Sequence, residues 1–300
     1  MSNNILVTGS SGFMGRAAVI KLRENPSNNI FEVTRSKSYW MQKEADKIDL
    51  LSYDAVDNLI SKYKFSHVYH FAGDSSVVNS WNNPLDTIKY NTGITKNLVE
   101  SINAKSQRTK LVLISSSAVY ARSEQPLSEK SILGPDSPYG MSKLISEYEV
   151  SKLANYLIIR PFFVIGPNKR NDVLDDWIGQ LKSISRSDDL ELRVGNLNVI
   201  RDYISIKTAT NLILELSESA TGVFNLGSGN GTPLRAVVDI LKSISGYEFK
   251  VLESSVEKSR LVDRLKVVAD ISKLTGAVKK WNEPSLTEQI ARIYKEFKRE

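Results

Sequence analysis

The stretch NILVTG runs apolar up to Gly9, and glycines recur at positions 12 and 15 in TGSSGFMG. Few features restrict a chain more. An apolar strand ending in glycines at this spacing permits a tight turn, lets a pyrophosphate approach the backbone, and packs the next helix closely on the strand. The first N–H groups of that helix then face the anion. In this strand–turn–helix setting, Gly-x-x-Gly-x-x-Gly predicts dinucleotide contacts from Gly9, Ser11, Gly12, Phe13, Met14 and Gly15. The competing reading is a glycine turn that serves packing alone.

Strands and helices alternate from there on. IFEVTRS reads as a second strand, and HVYHFAG as a third before a helix over TIKYNTGITKNLVESI. KLVLISSS reads as a strand before the helix from Tyr139, and YLIIRPFFVIGP as one further strand. Such alternation predicts an α/β fold over residues 1–167, a doubly wound parallel sheet with ligands at the carboxyl ends of its strands. Past Pro167 come a helix near DDWIGQLKSI, short strands around LELRVG and GVFNLGSG, a helix at PLRAVVDILKSI and an amphipathic helix from Pro284. Residues 168–300 read as a smaller C-terminal α+β lobe, mainly for substrate, with some later segments returning to the sheet.

Composition removes several chemistries. The chain has no cysteine, so disulfides, thiolate nucleophiles and cysteine metal ligands are excluded, and a reducing cytoplasm is expected. Its two histidines, His67 and His70, sit at a strand end in KFSHVYHFAG and leave little for a Ser/His/Asp triad or a metal site. No apolar stretch approaches the ~20 residues of a membrane span, and the N-terminus lacks a secretory pattern. The net charge of +6 is spread among acids, as in EQIARIYKEFKRE. That interleaving reads as solvated helix face rather than a nucleic-acid surface, and it suits a phosphorylated small molecule equally well.

DSPYGMSK sets Tyr139 four residues before Lys143, with Pro138 ahead of both. If Pro138 marks a first helical turn, the phenol and the ammonium lie on one face. A nearby ammonium favours phenolate, so the tyrosine is expected to be pulled down from about 10 toward the working pH. Such a group trades protons with an alcohol or ketone. The second strand ends VTRS, with Thr34 and Arg35 where NAD enzymes of this architecture carry an acid, and Ser36 beside them able to assist. A guanidinium there pairs with a 2′-phosphate and favours NADP over NAD. The alternative is an exposed strand-end charge, with adenine contacts from Asp49 and Leu50.

TGSSGFMG, YGMSK and ISSSAVY, together with HFAG (70–73), NTGITKNL (91–98), IRPFFVIGP, RDYI and FNLGSG, resemble the extended short-chain dehydrogenase/reductase family of NAD-dependent epimerases and dehydratases. The resemblance covers nearly the whole chain. It implies a Rossmann-type sheet with cofactor contacts from Phe71, Ala72 and Gly73, and with Tyr139 as acid/base. It further implies that Lys143 binds the nicotinamide ribose and that Ser116, four residues before Tyr120, holds the reacting oxygen, with Ser117 beside it. Dehydratases of the family carry an acid one or two places after that serine, where this chain has Ser117 and Ala118.

LRVGNLNVIRDYI resembles a stretch of GDP-mannose dehydratases and GDP-6-deoxy-mannose reductases, whose arginines matching Arg201 and Arg260 grip the nucleotide diphosphate. For each arginine the alternative is a structural ion pair, with Asp202 or Asp263. AGDSSVVNSW resembles a sugar-facing loop, making Ser75 and Ser76 candidate sugar contacts. Asp74 and Phe163 depart from the family pattern. The expected activity is an NADP-dependent reductase of a nucleotide-linked 4-keto-6-deoxyhexose, with a 4-epimerase that retains NAD, or a non-catalytic dinucleotide sensor, as alternatives. The helices near Thr87 and Tyr139, with Ile94, Leu98, Ile102, Leu144, Ile145 and Tyr148, are expected to pair in a homodimer's four-helix bundle or simply to pack on the sheet.

Overall fold

The computed structural model describes residues 3–35, 47–183, 191–253 and 264–297. Ser36, Arg260 and Asp263 lie outside the described residues. The first half runs β1 (Asn3–Thr8), α1 (Phe13–Leu22), β2 (Asn28–Val33), α2 (Tyr53–Tyr63), β3 (His67–His70), α3 (Val77–Asn82), α4 (Pro84–Lys105) and β4 (Lys110–Ile114). Then come α5 (Pro138–Val150), β5 (Tyr156–Pro161), β6 (Phe163–Ile165), α6 (Val173–Ser183), β7 (Glu191–Val194), β8 (Ile200–Ser205), α7 (Ile206–Ser219) and β9 (Gly222–Leu226). The chain closes with β10 (Gly231–Pro233), α8 (Leu234–Ser245), β11 (Lys250–Glu253), β12 (Lys266–Val267), α9 (Ser272–Ala277) and α10 (Leu286–Glu296).

Six parallel strands form the central sheet in the order β2-β1-β3-β4-β5-β9. Alternate side chains along each strand go to opposite faces. Ile5 and Val7 of β1 join Val112 and Leu157 in a core with Val19 of α1 and Leu212 of α7. Leu6 joins Val68, Leu111 and Ile158 in a second core with Ile60 of α2 and Leu98 of α4. The direction of winding reverses between β1 and β3, which leaves a crevice at their carboxyl ends, the usual place for a ligand in such a sheet. A third core, around Trp177, Leu181, Val194 and Leu241, holds the remaining layer together.

Three features differ from the sequence reading. YLIIRPFFVIGP is two strands: β5 ends at Pro161 in the central sheet, and β6 pairs with β8. The N–H of the intervening Phe162 goes to Leu226 O at 2.9 Å, which ends one ladder before the next begins. GVFNLGSG supplies β9, an edge strand of the central sheet and one of the later segments expected to return to it. The periodicity also leaves out α2 and α7, which cover opposite faces, and the helix carrying NTGITKNL begins at Pro84 rather than Thr87. Helices α4 and α5 pack on each other. Ile94, Leu98 and Ile102 are core residues, whereas Met141 and Tyr148 of α5 stand exposed. Among the described residues no helix is long and apolar enough to cross a membrane.

Candidate active site

The carboxyl ends of the central strands open on a cavity of about 1690 Å³. Single small-molecule pockets run to roughly 300–1,000 Å³, so the space exceeds what one such ligand needs. One wall is the glycine turn: Gly9, Ser11, Gly12, Phe13, Met14 and Gly15 all line it. Gly9 has φ +68, and a Cβ there would lie 2.6 Å from Ala72 N; a Cβ on Gly15 would lie 2.2 Å from Gly9 O. Only glycine fits both places. Helix α1 starts after Gly12 with no side-chain cap, so its leading N–H groups remain for an anion. Uncapped N–H groups, a bare glycine cradle and the volume of the cavity fit a dinucleotide.

Arg35, Leu50, Phe71, Ala72 and Gly73 continue the same wall. Arg35 is exposed, its guanidinium 4.7 Å from the centroid of Tyr90. Thr34, beside it, is buried and shares a 2.7 Å hydrogen bond with Ser11. Asp49 is a correction. It does not line the cavity: its carboxylate accepts the Leu51 N–H at 2.9 Å, shaping the turn into α2.

Ser116, Tyr139 and Lys143 all line the same cavity. Ser116 Oγ caps a single helical turn, Ser117–Val119, by accepting from Ala118 N at 3.1 Å, and is hydrogen-bonded to Tyr139. Ser137 Oγ caps α5 by accepting from Gly140 N at 3.1 Å, with Pro138 as first helical residue. The expected lowering of the tyrosine is not found. Burial raises the Tyr139 phenol above its ordinary value, the Ser116 hydrogen bond opposes this, and the Asp74 charge adds to it. Lys143 does not counter it, because its Nζ turns to Ile114 O at 2.9 Å and lies 5.9 Å from the tyrosine ring centroid. Lys143 is itself lowered to about 8 by burial, with Glu147 and Asp74 partly offsetting the effect.

Sequence reasoning missed two supports. Asn91 of α4 accepts from Asp74 N at 2.7 Å and donates to Asp74 O at 3.0 Å and Ser142 Oγ at 2.9 Å, tying the loop after β3 to α5. Ser75 and Ser76 line the cavity from that loop, although the Ser76 hydroxyl also caps α3 by accepting from Asn79 N at 3.0 Å. Behind Lys143, Glu147 accepts from Arg160 at 2.6 and 2.9 Å and from Ser115 Oγ at 2.5 Å. Arg160 also donates to Tyr120, whose hydroxyl donates to Asn225. This network joins α5 to β5 and β9.

Ser117, Phe163, Arg201, Tyr203 and Arg264 also line the cavity. Arg201 donates from Nη1 to Ile200 O and Arg264 O, and its guanidinium lies 5.1 Å from the Phe163 ring. The Asp202 carboxylate is filled by Ser228, Gly229 and Ala269. The Tyr203 hydroxyl is fully buried and has no hydrogen-bond partner among the described residues.

Residues 5–227 match the pattern of the NAD dependent epimerase/dehydratase family. The chain belongs to that family. It is an enzyme of nicotinamide-dependent nucleotide-sugar chemistry, with oxidoreductases and epimerases among its relatives. It is 26% identical over 280 residues to GDP-6-deoxy-D-mannose reductase of Pseudomonas aeruginosa, with 88% of this chain and 87% of that protein covered. It is 28% identical over 283 residues to GDP-6-deoxy-D-talose 4-dehydrogenase of Aggregatibacter actinomycetemcomitans, covering 91% and 90%. Among solved structures, UDP-glucose 4-epimerase of Thermotoga maritima with UDP-glucose superposes with a TM-score of 0.84 at 24% identity, covering 98% of each chain.

Proposed function

We propose that the enzyme is an NADPH-dependent reductase of a nucleotide-linked 4-keto-6-deoxyhexose, with a GDP-sugar as first choice. The observation that carries this reading is the convergence of Ser116, Tyr139 and Lys143 on one cavity whose serine is followed by Ser117 and Ala118 rather than by an acid. Without that acid, elimination lacks its base, and hydride transfer with a tyrosine proton remains. Bound NADPH supplies the hydride. Tyr139, kept a phenol by burial, is in the form that donates a proton to the developing alkoxide. Ser116 holds the same oxygen by hydrogen bond, and Lys143 places the nicotinamide ribose. Two relatives act on GDP-6-deoxyhexoses by name, which supports the substrate class.

The epimerase reading is favoured by sequence relatives named UDP-glucose 4-epimerase, which at 26–29% identity stand as near as the reductases. Purified protein separates the two. A reductase consumes NADPH stoichiometrically with the ketosugar, whereas an epimerase yields retained NAD on denaturation and shows no net oxidation. A thermal-shift screen of GDP, UDP, CDP and dTDP selects the nucleotide, since a ligand at 100 times its Kd stabilises by about 2.7 kcal/mol.

Cofactor choice rests on Arg35. Its exposed guanidinium, 4.7 Å from the Tyr90 ring centroid on the cavity wall, supports pairing with a 2′-phosphate. A hydrogen bond to a charged group contributes about 1.5–3 kcal/mol, so Arg35→Ala is expected to raise the KM for NADPH by roughly 10- to 100-fold and leave NADH unaffected. Equal effects on both cofactors would remove the NADP assignment. Lys143 gives a pH expectation. Its ammonium is the donor to the ribose, and the group titrates near 8 in the cofactor-free protein, so dinucleotide affinity should fall as pH rises through about 8. Fluorescence titration reads this, and a pH-independent affinity in wild type would remove the role. The exposed Met141 and Tyr148 on α5 support a homodimer through α4 and α5, and a monomer by light scattering at micromolar concentration would exclude it.

A further inference from the structure

One ion-pair cluster at the cavity wall is not used by the chemistry above. Asp136 precedes Tyr139 by three residues and adjoins the helix cap Ser137. Arg264 holds it side-on, Nη2 at 2.7 Å from Oδ1 and Nε at 3.0 Å from Oδ2. The same Nη2 donates to Ala118 O at 3.5 Å, within the turn that Ser116 caps. Arg122 also reaches Asp136, at 3.3 Å, but its side chain is 59% exposed against 10% for Arg264. Solvent weakens exposed pairs, so Arg264 is the dominant partner. Burial raises the Asp136 carboxyl, and the Arg264 and Arg122 guanidiniums more than offset it, leaving it below its ordinary value.

Arg264 is also tied to Arg201. Its carbonyl accepts from Arg201 Nη1 at 2.7 Å, and β12 begins two residues later, pairing Val267 with Arg201 in parallel register. Both arginines line the cavity. A guanidinium carries five N–H donors in a rigid plane. Nε and Nη2 of Arg264 are engaged with Asp136 and Ala118, while Nη1 has no partner among the described residues. One planar group therefore presents one edge to the catalytic helix and has a nitrogen to spare for an anion.

We propose that Arg264 is a positioning residue that couples the substrate's diphosphate, taken at Nη1, to the placement of Ser116 and Tyr139 through Asp136 and Ala118. The inference rests on the nucleotide-sugar reading. It assigns to Asp136 and Arg264 a role in turnover that neither has by contact with the reacting atoms.

The test compares Arg264→Gln, Asp136→Asn, the double variant and Arg264→Lys in the full chain. The readouts are kcat and KM for the ketosugar, calorimetric Kd for whichever of GDP, UDP, CDP and dTDP the wild type binds, and melting. Arg264→Gln is expected to weaken diphosphate binding by about 10-fold or more and to lower kcat about 10-fold. Asp136→Asn should lower kcat by a similar factor with Kd changed by less than about twofold, and the double variant should lose no more kcat than the worse single. Arg264→Lys should recover part of the binding but not kcat, because an ammonium lacks the fork. Losses in kcat that multiply in the double variant, or an Asp136→Asn variant with wild-type kcat, overturn the coupling. If Arg264→Gln does not fold, Arg264→Lys and Asp136→Asn complete the same cycle. A wild type that binds none of the four diphosphates overturns the functional reading and the coupling together, whereas diphosphate binding with multiplying losses overturns the coupling alone.

Discussion

Tyr139→Phe is expected to lower kcat by roughly 100- to 10,000-fold, the span of a positioned acid or base, while dinucleotide affinity stays within about twofold. The ring is buried beside Ser116, so removing one oxygen leaves packing almost unchanged and takes away only the proton. Ser116 then loses its hydrogen-bond partner but keeps its cap on Ala118 N. Because the phenol is raised rather than lowered, the wild-type reduction at saturating cofactor should hold its rate toward alkaline pH until the phenol ionises. Steady-state turnover and cofactor fluorescence separate the two quantities. A variant retaining more than a tenth of wild-type kcat would show that another group delivers the proton.

Glu147→Ala is expected to destabilise the protein by about 3–5 kcal/mol, because it leaves the Arg160 guanidinium uncompensated in the interior. The two side chains are 6% and 4% exposed, so water cannot replace the lost carboxylate. Ser115 and, through Arg160, Tyr120 and Asn225 lose order with it. Chemistry should suffer too: Glu147 is the larger of the two charges that favour the Lys143 ammonium, so Lys143 would fall below about 8. Denaturant melts measure the first effect. A loss under about 1 kcal/mol would mean that the pair adds nothing beyond a hydrophobic contact. Glu147→Leu with Arg160→Met should recover much of the stability, since exchanging a buried pair for apolar groups is often neutral.

Local geometry was legible in the sequence, and long-range geometry was not. TGSSGFMG could be read because part of the requirement is local: Gly9 takes φ +68, and a Cβ on Gly15 would meet Gly9 O across one turn. The Tyr139–Lys143 spacing likewise placed both side chains on one helical face. It did not say where the lysine's nitrogen would point, which Ile114 O on β4 decides, and so the direction of the tyrosine shift was misjudged. The Arg264 to Asp136 pair spans 128 positions, and no local pattern announces it. Helix α2 did carry a signal, Ser52 as cap ahead of Val56, Leu59 and Ile60 at helical spacing. The divided strand after Tyr156 could not be seen, because two apolar β-runs separated by one aromatic residue look like one.

That division at Phe162 determines how the cleft behaves mechanically. A single residue, buried and hydrogen-bonded to Leu226, separates the sheet that carries the glycine turn from the one that carries Arg201. With so short a strap, one layer has little slack to swing away from the other. On the proposed function, the gap between the glycine turn and the arginine wall would act as a fixed gauge, selecting a substrate by its length from sugar carbonyl to phosphate.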